Sequence, residues 1–154
     1  MIKRLFVSLF LIAVVHNSYA QNQGKDLVDS LVAELPKAKE DTNKVKLLIN
    51  IISNSLAHSA LIDEALKYAE EAEALSEKLE WEKGLINSKQ VLGRMYWKKG
   101  NYTKALSIHR EALNAAQKSG DKIMMASICN CIGQDYGDAE ENFRTISERV
   151  NSLV

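Results

Sequence analysis

Few residues in this chain are of types that do chemistry, and their spacing limits what they could do. Beyond the first twenty residues stand two histidines, His58 and His109, and the only two cysteines, Cys129 and Cys131. Neither histidine has a nucleophile or a second ligand at motif spacing. His109 lies on the packing stripe of its segment and reads as a core or rim residue. Cys129 and Cys131 sit two apart in a stretch that reads helical, where such positions point roughly 200° apart. A disulfide between them needs a broken helix. Met125 and Cys129 share a face at i,i+4 and are soft ligands that suit copper(I), but no His or further Cys completes the set. The cysteines read as small packing residues. Gly133-Gln134-Asp135-Tyr136-Gly137 lacks the lysine and the strand of a phosphate-binding loop. The carboxylates crowded into Asp63–Glu82 read as a solvated helix face. Asn101-Tyr102-Thr103 fits a glycosylation sequon, but Gly-Asn at a turn explains it without sugar. No catalytic residue, cofactor site or metal site is predicted, and the chain reads as non-enzymatic.

The elements that position these residues are set by composition and pattern. Of 154 residues, 46% are apolar and 26% charged, enough for one modest core. Seven glycines and one proline are too few for an all-β or loop-rich fold. Basic and acidic residues balance at 20 each, which leaves no global basic field for nucleic acid.

The amino terminus is a separate problem. Met1-Ile2-Lys3-Arg4 is a cationic start, Leu5–Val15 is an apolar run of 11 residues, and small residues stand at Ser18 and Ala20. This is the layout of a secretory signal peptide over 1–20, cleaved before Gln21. The run is shorter than the roughly 20 residues of a membrane span; the alternative is an uncleaved anchor or a buried first helix. The chain is thus expected to be exported, periplasmic or extracellular, with no membrane span in its mature form. Loss of Lys3 and Arg4 leaves a mature net charge near −2.

After the leader, helical periodicity continues almost throughout. Helices are expected at about Lys25–Leu35, from Asp41-Thr42 through Leu56, at Ile62–Leu79, Trp81–Lys99, Tyr102–Lys118 and Lys122–Tyr136, and a seventh at Asp138–Val154. Sustained period-2 alternation is missing, so the fold class is all-α. A shift of 40 residues superposes several landmarks. Ala65-Leu66 falls on Ala105-Leu106, Ala72 on Ala112, Leu92-Gly93 on Ile132-Gly133, and Tyr96 on Tyr136. Ser53, Gly93, Gly133 and the alanines are small residues that allow helices to approach closely, with Leu92, Tyr96 and Tyr136 filling the space beside them. Tandem antiparallel helical hairpins with a 40-residue period follow, each burying its face against the next.

At Leu92-Gly93-(x2)-Tyr96, Gly100-Asn101-Tyr102-(x2)-Ala105-Leu106 and Glu111-Ala112-Leu113 the chain resembles the tetratricopeptide repeat family, over about Val45–Tyr136. It departs from the family pattern at Lys89, where a large apolar residue is usual, at His109 and at Ser53. The resemblance implies a right-handed solenoid. The long period, the leader and the opening Leu35-Pro36-Lys37-Ala38-Lys39-Glu40-Asp41-Thr42-Asn43 are similar to the exported repeat segment at the front of certain bacterial sensor histidine kinases and transcription regulators. The expected organisation is a leader over 1–20, an N-terminal helix and linker over 21–44, and a repeat domain over 45–154, with two clear repeats and a third degenerate or truncated.

In a stack of hairpins the first helix of each pair lines the concave side. Asn87, Gln90, Arg94 and Trp97 lie off the packing stripe there, and the 40-residue register adds Asn50, Asn54, Asn130 and Gln134. The resemblance implies the same positions as a clamp for an extended peptide. Carboxamides offer donors and acceptors, Arg94 can take a carboxylate, and Trp97 supplies an aromatic anchor. The function expected is a protein- or peptide-binding scaffold; the alternative is a signalling input domain of a histidine kinase or regulator, or a truncated relative of one. Ile146, Val150, Leu153 and Val154 form a closing apolar stripe that should fold back on the third hairpin or self-associate weakly.

Overall fold

The computed structural model describes the backbone of residues 24–151 and the side chains of 24–142 and 144. The expected leader, its cleavage site, and the side chains of Ile146, Val150, Leu153 and Val154 lie outside the described residues. Six α-helices follow one another there: α1 (24–32), α2 (Thr42–Ser55), α3 (Ile62–Lys78), α4 (Glu82–Lys98), α5 (Tyr102–Ser119) and α6 (Lys122–Asn151). The fold is all-α, with no strand among the described residues. No helix among them is long and apolar enough to cross a membrane.

Local chemistry sets the boundaries. Pro36 sits in a short 3-10 turn, Leu35–Lys37, that separates α1 from α2. The Asp41 carboxylate accepts from the backbone N–H groups of Asn43 and Lys44 at 2.7 and 3.3 Å, capping α2. Asn101 caps α5 by accepting from Lys104 N–H at 3.1 Å, and Asp121 caps α6 by accepting from Met124 N–H at 3.0 Å.

Three helix ends repeat one geometry. The backbone N–H of Trp81 donates to Ser76 O at 3.0 Å, that of Asn101 to Tyr96 O at 2.9 Å, and that of Asp121 to Ala116 O at 3.2 Å. This six-to-one closure places the residue before each donor in the left-handed region. Gly100 and Gly120 take it at φ 74° and 71°, but Glu80 takes it at φ 49°. A side chain there is strained by about 1–2 kcal/mol, while glycine loses more backbone entropy on folding. Glu80→Gly is therefore expected to raise stability by about 0.5–1 kcal/mol, read as a higher midpoint in urea at unchanged slope.

Each long helix packs on its sequence neighbours, and in addition α2 touches α4 and α4 touches α6. The first helices of successive hairpins thus share one layer. Val45, Leu48, Ile52, Ala65, Ala69, Ala72, Leu92 and Met95 form the main core, and Ile86, Ala112, Ala116 and Ile128 a second one towards α6. The small residues Ala65, Ala72, Gly93, Ala105 and Ala112 are all buried, and Leu92 with them. Lys89, out of pattern as a cation, bridges α3 and α5 by pairing with Glu73 at 2.6 Å and Glu111 at 3.0 Å. Burial pulls its ammonium down, but the two carboxylates outweigh that and hold it above the ordinary lysine range.

Two expectations are corrected at the carboxyl-terminal end. The separate sixth and seventh helices are one helix, α6, unbroken from Lys122 to Asn151. Gly137 does not end it, because a glycine inside a helix costs only about 1 kcal/mol and no proline or cap enforces a stop there. Gly133 does not sit at a close helix contact, since a side chain there would meet nothing within 4 Å, and Tyr136, 49% exposed, meets α5 at the surface rather than in a buried layer. The ring of Tyr136 lies beside Arg110, which donates to its hydroxyl.

Candidate functional site

Where α2, α4 and α6 meet, the layer of first helices opens into a cleft of about 370 Å³. Ser53, Leu56 and Ala57 come from the end of α2, Arg94, Trp97 and Lys98 from α4, His109 from α5, and Cys131, Gln134 and Asp135 from α6. Three of the residues expected on the concave face, Arg94, Trp97 and Gln134, are brought together here.

The others are placed differently. Gln90 is spent on α6, where its amide donates to Ser127 Oγ at 2.7 Å and reaches Cys131 Sγ at 3.9 Å. Asn54 donates back to the carbonyl and side-chain oxygens of Asn50 at 2.8 and 2.9 Å. Asn87 is half-buried and Asn130 exposed, and neither lines the cleft. His58 lies away from the cleft, over Gly24 at the start of α1.

The floor of the cleft holds a pair that sequence reasoning did not single out. His109 Nδ1 lies 2.5 Å from Asp135 Oδ2, and the two side chains are each 1% exposed. The other ring nitrogen, Nε2, lies 3.2 Å from the backbone oxygen of Gln90. Acceptors thus face both ring nitrogens. Gly93 makes the room: a Cβ there would stand 2.4 Å from His109 Nε2. A signal for the pair existed in the 40-residue register, which aligns Asp135 with Met95 and Ser55. All three positions are buried, so a carboxylate in that row needed a partner.

The wall and rim are also organised. The indole N–H of Trp97 donates to Asp138 Oδ2 at 2.5 Å, which fixes the ring. Lys98 Nζ lies 5.2 Å from the ring centroid. Arg94 is exposed and makes no ion pair among the described residues.

Cys131, His109 and Asp135 do not assemble as nucleophile, base and orienting acid. Nε2 faces the Gln90 carbonyl, the thiol meets the Gln90 carboxamide, and burial pushes the Cys131 thiol up, away from the thiolate. Among the described residues no cluster of three His, Cys, Asp or Glu could hold a metal ion. Compared with family models, curated proteins and solved structures, the chain matches none of them.

Proposed function

We propose that this chain is an exported, non-enzymatic binding module of tetratricopeptide type, whose concave face takes a peptide or protein segment. The observation that carries this reading is the cleft to which three successive first helices contribute side chains. Arg94, Gln134 and Ser53 bring hydrogen-bonding groups to one opening beside a Trp97 ring already held by Asp138. An aromatic ordered before binding loses little entropy when a ligand arrives.

The reading is tested by selecting peptides on the full chain from a displayed random library and titrating the strongest. Asn50→Ala, Arg94→Ala and Asn130→Ala should each weaken binding by about fivefold or more while melting temperature and helicity stay unchanged. Parent-like binding in all three would move the site off the concave face, towards the acidic helix α3.

Export rests on the cationic start, the short apolar run, and Ser18 and Ala20. The expected mature amino terminus is Gln21, read by intact-mass measurement on protein from the periplasmic or extracellular fraction of its host. A cytosolic protein that retains Met1 would contradict it.

A further inference from the structure

The positions of His109 and Asp135, moved back 40 residues, are those of Ala69 and Met95, which are both 0% exposed. An apolar pair therefore suffices at this place in the stack. Burying a His–Asp pair instead carries a desolvation cost, and an apolar pair of similar volume is often at least as stabilising. Packing thus gives no reason for His109 and Asp135. What they add is polarity, and they add it to the floor of the cleft that Arg94 and Lys98 border.

Asp135 is 2% exposed and gives only Oδ2 to His109. Its other oxygen, Oδ1, has no partner among the described residues. Among the described residues no side-chain oxygen is both sealed from solvent and without a partner, so Oδ1 keeps a small opening to solvent, and Asp135 lines the cleft. An unused carboxylate acceptor therefore lines the same cleft as Arg94 and Lys98, which make no ion pair among the described residues. The Trp97 ring and Leu56 supply apolar lining to the cleft. The volume of about 370 Å³ is that of a small-molecule site.

We propose that this cleft binds a free amino acid, its α-ammonium donating to Asp135 Oδ1, its α-carboxylate held by Arg94, and an apolar side chain lying against Trp97 and Leu56. A lone anion would leave Oδ1 without a donor and set a second negative charge beside it. A lone cation would face Arg94 and Lys98. A ligand carrying both signs meets both ends of the cleft. The inference goes beyond the peptide-binding reading and shares Arg94 with it.

The test is thermal melting and tryptophan fluorescence of the full chain with each of the standard L-amino acids at millimolar concentration. At least one with an apolar side chain should raise the melting temperature and shift the fluorescence. Its amide, which lacks the carboxylate, and its N-acetyl derivative, which lacks the ammonium, should each bind about tenfold more weakly or worse. Arg94→Gln, an exposed change, should keep the parent melting temperature and lose about tenfold in affinity. The double variant His109→Ala/Asp135→Met, which restores the residues of the preceding repeat, should stay helical and stop responding. No response to any amino acid would overturn the proposal, and so would an N-acetyl derivative that binds as tightly as its parent. The peptide reading is judged separately, by whether Asn50→Ala and Asn130→Ala, both outside the cleft, weaken capture of a selected peptide.

Discussion

Asp135→Ala is expected to destabilise the protein by about 3–5 kcal/mol, because it leaves a buried imidazole without its carboxylate. The size of the effect comes from the burial of both partners, each 1% exposed. The reverse single change, His109→Ala, should cost a similar amount, since it strands the carboxylate. The informative variant is the double one. His109→Ala/Asp135→Met replaces the pair with the residues that stand at the same places 40 positions earlier, and it should recover at least about half of the single-variant loss. Chemical denaturation of the three variants measures this directly. A double variant no more stable than the singles would mean that the His–Asp contact, and not only its volume, holds α5 to α6.

Gly93→Leu should cost on the order of 2–4 kcal/mol, after a gain of about 1 kcal/mol from removing a helical glycine. The collision is with His109, whose Nε2, Cδ2 and Cε1 would lie 2.4, 2.6 and 2.8 Å from a new Cβ. The ring cannot retreat without leaving the Gln90 carbonyl or Asp135. The effect therefore depends on the histidine. In a His109→Ala background, Gly93→Ala should be neutral or stabilising by up to about 1 kcal/mol. Equal costs in the two backgrounds would show that Gly93 meets something other than His109.

Much of the architecture is legible in single residues. Ile62–Leu79, Trp81–Lys99 and Tyr102–Lys118 are expected helices, and α3, α4 and α5 run over Ile62–Lys78, Glu82–Lys98 and Tyr102–Ser119. Those boundaries depend on neighbours in sequence: caps at Asp41 and Asn101, and left-handed glycines at 100 and 120. Gly137 misleads because the same residue type ends a helix only where the chain has something to gain by turning. In α6 nothing pulls it around, and the helix continues to Asn151. Gln90 misleads in another way. Its polarity fits a ligand face, but its amide is within reach of Ser127, and that bond depends on how closely α4 and α6 approach.

The sequence by itself determined the all-helical class, the 40-residue register and the placing of small residues such as Ala65, Gly93 and Ala112 in the helix layers. These follow from periodicity and local propensity, which act over a few residues and survive in any context. Only the tertiary structure decided that His109 meets Asp135 across 26 residues, that Trp97 is held by Asp138, and that both border one cleft with Arg94. Those contacts are set by the approach of α4, α5 and α6 to within hydrogen-bond distance. The fit of the side chains between the helices governs that approach, and no segment carries this information alone.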